Sequence, residues 1–184
     1  MRILDGINQK RLFRTILANS RERLYRMAFS WTHDPTLADD LVQQTCYQAL
    51  RKQRHLRDLD AADAWLFRIL ANCLADYHRA RREVLSGDEL IMVDKWTPEH
   101  AAHEDQVAQR VRKAVSCLSL AHRQVVTLVD LEGFSYATVA QILDVPVGTV
   151  MSRLSRGRRA LQEDLLDINA KEGMSAPSRM RRIK

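Results

Sequence analysis

Apolar positions along this chain fall mostly at helical spacing. Residues 8–19 and 21–33 read as two amphipathic helices, with Leu12, Ile16, Leu24, Met27 and Ala28 toward a core. Asp34 can cap the next helix and Pro35 fits its first turn, so that helix should run from Pro35 to about Lys52. Leu37, Ala38, Leu41, Val42, Thr45 and Ala49 share one of its sides. Asp40, Gln43, Gln44 and Tyr47 occupy the opposite arc, which lacks the Lys/Glu pairs of a solubilising face and suits protein contact. A polar segment, 55–62, leads into a long helix over 63–82. Trp65, Leu66, Ile69, Leu70, Cys73, Leu74 and Tyr77 make its wide apolar arc. Arg68, Asn72, Arg79 and Arg82 fall within a remaining arc of about 80°. Such a stripe suits a phosphate backbone, and on this ground alone it suits plain solvation equally well.

The second half has a different grammar. Val107, Val111, Val115 and Leu118 mark a helix over 106–118, and Val125, Val126, Val129 and Leu131 mark another over 120–131. Gly133 breaks the chain, and Ser135 can cap a short helix over 136–143. The turn Asp144-Val145-Pro146-Val147 precedes a long helix over about 148–166. Short helix, tight turn and longer helix make a helix-turn-helix pattern. On the last helix Val150, Leu154, Gly157, Leu161 and Leu165 form the core face, and Gly157 permits close approach of a neighbour. The far side carries Thr149, Ser152, Ser155, Arg156 and Arg159, with no acid. Arginine reads guanine edges in the major groove and serine reads either partner, while Thr149 sits where helix N–H groups favour phosphate.

Composition narrows the class. The 184 residues allow one domain or two small ones. Six Gly, four Pro and 6% aromatics are thin for a sandwich or barrel, and 46% apolar residues exclude a disordered chain. No apolar run approaches the roughly 18 residues of a membrane span, and the N-terminal residues have no apolar signal core, so a cytoplasmic protein is expected. Cys46, Cys73 and Cys117 form no disulfide framework and are expected in the core. The net charge of +6 is a cancellation. Residues 1–83 carry 15 basic and 10 acidic side chains, and 106–184 carry 13 and 7. Residues 84–105 carry one base, Lys95, against six acids, Asp88, Glu89, Asp94, Glu99, Glu104 and Asp105. The fold class is therefore all-α, with two small helical domains, 1–83 and 106–168. A flexible acidic linker over 84–105 joins them, and a basic flexible tail over 169–184 follows. No catalytic set stands out, and His100 and His103 have no Cys partner, so no metal, cofactor or enzymatic activity is expected.

Two motifs then carry a family resemblance. Leu131-Glu132-Gly133-Phe134-Ser135-Tyr136, Val139-Ala140, Val145-Pro146-Val147-Gly148-Thr149-Val150-Met151-Ser152-Arg153-Leu154 and Arg156-Gly157-Arg158-Arg159-Ala160-Leu161 resemble region 4 of bacterial sigma factors, the short extracytoplasmic-function (ECF) type above all. Asp39-Asp40-Leu41-Val42-Gln43-Gln44-Thr45 resembles the polymerase-binding helix of region 2, and Ala64-Trp65-Leu66-Phe67-Arg68-Ile69 with Asn72, Asp76 and Arg79 resembles its −10-reading part. The resemblance covers roughly 10–83 and 106–168, and the motifs lie in the right order about 90 residues apart.

It implies a factor that binds RNA polymerase core and directs promoter-specific initiation. Asp39, Asp40, Gln43, Gln44 and Tyr47 would dock on the β′ coiled coil, and the region 4 domain would meet the β flap. The loop with Leu56, Arg57, Asp58 and Asp60 would hold a base flipped from the −10 element, and flipping costs a few kcal/mol that a pocket must recover. Trp65, Arg68, Asn72, Arg79 and Arg82 would meet the melted strand. Ser152, Ser155, Arg156 and Arg159 would face −35 bases, with Arg123, Thr149 and Arg153 on the backbone. The acidic linker would follow the nascent RNA path. An anti-sigma partner is implied as well. Met151, Ser155 and Cys46 depart from the residues frequent at their positions, as does the Asp-rich loop 56–62, so base preference stays open. Two other readings are a sigma-like module that only sequesters a regulator and a DNA-modifying enzyme such as a recombinase. An intact Ser/Arg face opposes the first, and the missing nucleophile constellation opposes the second.

Overall fold

A computed structural model describes residues 2–56, 58–84 and 106–173, and among these every regular element is helical. In chain order they are α1 (Arg2–Thr32), α2 (Pro35–Lys52), α3 (Ala62–Val84), α4 (Gln106–Cys117), α5 (Leu120–Val126), α6 (Tyr136–Leu143) and α7 (Val147–Gly173). A 3-10 turn, Gln53–His55, follows α2, and a π turn, Thr127–Leu131, extends α5. Arg57, the residues from 85 to 105 with His100 and His103, and those from 174 onward lie outside the described residues. The linker expectation therefore falls almost entirely outside them. Residues 169–173, expected in a basic tail, continue α7.

The two helices expected before residue 33 are one, α1. No proline interrupts the join at Asn19-Ser20, and Ser20 turns inward to donate to Asp63 Oδ1 at 3.1 Å. Its buried stripe is Phe13, Leu17, Leu24, Met27, Ala28 and Trp31. Leu12, expected in the core, is 51% exposed, because its neighbour Phe13 takes the inward position. Asp34 caps α2 as expected, accepting from Thr36 N at 2.9 Å and Leu37 N at 3.0 Å. Ala38, Leu41, Val42, Thr45 and Ala49 are buried against α1 and α3. On α3 the buried set adds Phe67 and Ala71 to the expected residues.

In the second half, α4 and α5 pack on α7, and α6 crosses it. The α6–α7 turn is held by Asp144 in left-handed backbone (φ 54°), which an aspartate tolerates better than a branched residue. Ser135 caps α6 by accepting from Thr138 N at 3.1 Å. Gly133 has φ +73°, which accounts for glycine where the π turn ends. Val111 and Leu131, read as apolar helix positions, are 41% and 66% exposed. Cys73 is buried, Cys46 is half-buried and Cys117 is exposed, so Cys117 departs from the core placement. Burial pushes the Cys46 and Cys73 thiols above the ordinary range, which favours inert thiols.

The two halves touch. One continuous cluster of buried side chains runs from Phe13 to Leu154. Across it Trp31 Nε1 donates to Thr127 Oγ1 at 2.9 Å, and the rings of Phe67 and Phe134 meet edge to face at 5.3 Å. No described helix is long and apolar enough to cross a membrane.

Candidate nucleic-acid interface

The helix-turn-helix consists of α6, its turn and α7. The turn closes with Val145 N donating to Ala140 O at 3.0 Å, and Pro146 O accepts from Thr149 N at 2.9 Å and Val150 N at 3.2 Å. These bonds start α7 at Val147 and leave Thr149, half-buried, in its first turn. Val150, Leu154 and Gly157 are buried, and Leu161 and Leu165 are half-buried, as the angular pattern predicts. Ser152, Ser155, Arg156 and Arg159 are exposed, and Arg153 is half-buried.

The arginines of α7 do not stand alike. Arg158 is bound by the Asp130 carboxylate through Nε and Nη2, and this hydrogen-bonded partner holds its pKa above the ordinary guanidinium value. It ties α7 to the π turn. Arg159 Nε donates to Glu163 at 2.9 Å. Arg156 has no ion pair among the described residues, so its guanidinium is available for an anion or a guanine edge. Ser152 Oγ donates to Thr149 O at 3.0 Å, which leaves the exposed hydroxyl its capacity to accept.

Arg123 corrects the expectation of a phosphate contact. Only 1% of it is exposed. Its Nη2 donates to Ser116 O and Leu118 O at 2.7 Å each, Nε to Val115 O at 3.1 Å, and Nη1 to Trp31 O at 2.9 Å. It neutralises the carbonyl ends of α4 and α1, where a cation is favourable. Leu56 is corrected too. At 8% exposure it anchors the 56–62 loop in the core and offers no side chain to a base. The loop tip is an Asx turn in which Asp60 N donates to Asp58 Oδ1 at 2.9 Å, and both aspartates are exposed.

On α3, Arg68, Asn72, Arg79 and Arg82 are exposed, and Asp76 carries an exposed ion pair with Arg79 at 3.2 Å. Trp65 is half-buried, and its ring meets that of Phe13 at 6.0 Å in an edge-to-face pair. The far face of α2 exposes Asp39, Asp40, Gln43, Gln44 and Tyr47, where Arg51 lies over the Tyr47 ring at 5.6 Å.

Comparison with known proteins follows the same division. Residues 17–84 match the family Sigma-70 region 2, and residues 108–161 match Sigma-70, region 4. The chain is 33% identical over 162 residues to the ECF RNA polymerase sigma factor EcfG of Rhodopseudomonas palustris, covering 87% of this chain and 88% of that protein. It is 30% identical over 160 residues to the ECF RNA polymerase sigma factor SigE of Mycolicibacterium smegmatis, covering 84% of this chain and spanning 62% of that protein's length. Among solved structures, the sigma factor RpoE in complex with the anti-sigma factor NepR from Bartonella quintana superposes with a TM-score of 0.74. That match has 31% identity and covers 85% of this chain and 97% of that one.

Proposed function

This chain belongs to the ECF group of sigma-70 factors, and from that premise we infer that it binds RNA polymerase core and directs initiation at promoters of its own sequence. The observation that carries the reading is the outer face of the first turns of α7, which holds no acid from Thr149 to Arg159 and exposes Ser152, Ser155 and Arg156 together. In this reading α7 enters the major groove of the −35 element. The α3 stripe of Arg68, Asn72, Arg79 and Arg82 meets the melted −10 strand, and the exposed α2 face docks on polymerase. Bond-making chemistry belongs to the core enzyme, and the chain supplies binding energy directed at an opened duplex. It acts in the bacterial cytoplasm and is restrained by an anti-sigma partner, in keeping with the complex that RpoE of Bartonella quintana forms with the anti-sigma factor NepR.

Run-off transcription with purified core and genomic fragments tests the whole reading. Transcripts from a subset of fragments support it. Silence on every fragment, with no binding to core, would favour a module that only sequesters a regulator. Two substitutions test its parts. Arg156→Ala should weaken holoenzyme binding to a −35 fragment about tenfold, roughly 1.4 kcal/mol, within the range for one base-reading arginine. Unchanged affinity and base preference would remove Arg156 from the interface. Asp40→Arg reverses a charge on the α2 face and should weaken core binding about tenfold in a pull-down or anisotropy titration. Retained core affinity would locate the docking face elsewhere.

A further inference from the structure

We propose that Arg158 and Asp130 are positioning residues for base readout: their ion pair fixes the roll of α7 about its own axis and so aims Ser152 and Ser155 at the −35 bases. The role of that face rests on the promoter-directing reading above, whereas the strut itself stands on geometry.

Arg158 Nε donates to Asp130 Oδ2 at 3.1 Å, and Nη2 donates to Oδ1 at 2.5 Å. One planar fork thus engages both carboxylate oxygens, which fixes direction as well as distance. The two side chains are 52% and 32% exposed, so the pair contributes little to stability. Asp130 owes its place to the π turn. There Glu132 N donates to Thr127 O at 3.1 Å, an i→i+5 bond. The extra backbone carries residues 128–131 round from their α-helical positions, and Asp130 meets α7.

The fork acts where packing does not. Gly157 lies against Val126 and His122 of α5. Arg158 follows it about 100° further round the helix, and Ser155 lies about 60° beyond Arg158. A contact on one side leaves a helix able to roll over it, and a second contact on the flank removes that freedom. This flank is otherwise open: Arg158, Ser155, Met151 and Tyr136 line a hollow between α7 and the start of α6.

Small rolls matter to short side chains. A roll of about 10° moves a group roughly 5–6 Å from the axis by about 1 Å. That exceeds the spread of about 0.5 Å within which an N–H···O bond forms. Arg156 is long enough to follow such a shift, whereas Ser152 and Ser155 are not. Charge alone makes the pair unfavourable for DNA, since it sets an acid near a polyanion and withholds a guanidinium from phosphate. Orientation is the gain that offsets this.

Holoenzyme made with purified core, bound to duplexes randomised through the −35 element, provides the test. Wild type should select a preferred sequence, and Ser152→Ala and Ser155→Ala mark the positions that the hydroxyls read. Asp130→Asn leaves a single neutral acceptor and should lower discrimination about fivefold at those positions, the low end for one base contact. Helicity and thermal midpoint should stay near wild type. Arg158→Gln should do the same and leave the salt slope of binding unchanged, whereas loss of a phosphate contact would reduce it by about one. The exchanged pair Arg158→Asp/Asp130→Arg should restore part of the preference. Wild-type preference in both single variants overturns the strut. So does tighter binding by Asp130→Asn at unaltered preference, or a uniform loss at every position with a lower midpoint, or a preference that neither serine variant changes. If Asp130→Asn loses helicity, Arg158→Lys, which keeps the charge without the fork, decides by the same criterion. A wild type that selects no sequence removes the promoter reading and the strut with it. A wild type with a preference that the variants share removes the strut alone.

Discussion

Replacing Arg123 with alanine is expected to destabilise the C-terminal domain by about 3–5 kcal/mol, seen as a lower thermal midpoint and a less cooperative transition. The guanidinium donates to carbonyls of Val115, Ser116, Leu118 and Trp31. Those carbonyls belong to the ends of α4 and α1 and to the turn before α5, where intrahelical partners run out. A hydrogen bond with a charged partner contributes about 1.5–3 kcal/mol, and each acceptor left buried and unpaired costs about 1–3 kcal/mol. Water entering the cavity recovers part of this, which brings the net into the stated range. Arg123→Lys should recover less than half, because one ammonium cannot present the planar fork that serves carbonyls from two helices. A phosphate-contacting arginine would behave differently. Its loss would weaken DNA binding and salt dependence while leaving the thermal midpoint in place.

Arg123 also shows where reading a sequence stops. An arginine one turn into a short helix after Ser119 has the same local pattern whether it faces solvent or fills a corner. Its burial is decided by α1, whose Trp31 carbonyl lies 92 residues away in the chain. Phe67 is the same kind of case. It falls beside the apolar arc of α3, and its cover comes partly from Phe134 of the other domain. Leu131 fails for a local reason. The π turn inserts extra backbone per turn, so the 3.6-residue count drifts, Leu128 takes the inward position and Leu131 points to solvent. At Leu12 and Phe13 two adjacent apolar residues compete for one inward position, and helical spacing does not rank them.

Elsewhere the local chemistry was sufficient. Asp34-Pro35 starts α2 with its side-chain cap in place, and Ser135 caps α6. The Ser152, Ser155 and Arg156 face of α7 stands exposed because Val150, Leu154 and Gly157 commit the opposite face to α5. These features depend on neighbours within one or two turns. The contact between domains joins residues about 100 positions apart, among them Arg23–Glu132 and Trp31–Thr127. Neither helical period nor net charge encodes such a pairing.

Gly157→Val is expected to cost about 2 kcal/mol and to weaken −35 binding together with stability. Gly157 lies where α7 crosses α5, and a Cβ built there would come within 2.7 Å of Val126 Cγ2 and 3.4 Å of His122 Cβ. Two opposing terms decide the sign. Any residue replacing glycine inside a helix gains propensity, at most about 1 kcal/mol for alanine and less for valine. Overpacking a filled core costs about 1–3 kcal/mol, and here the struck atom belongs to Val126, a buried β-branched side chain with little rotamer freedom. Relief must come from moving α7 away from α5. That tilts the face carrying Ser152, Ser155 and Arg156, so DNA affinity falls with the midpoint. Gly157→Ala should show the same sign at about 1 kcal/mol, because the added Cβ alone makes the contact. The second-site change Val126→Ala removes the struck methyl and should return Gly157→Ala close to the stability of Val126→Ala alone. That coupling is read from a double-mutant cycle in thermal or urea unfolding. Additive losses would mean the α5–α7 approach is not what sets the requirement for glycine. A rescued fold that still binds DNA poorly would mean the orientation of α7 depends on Gly157 by another route.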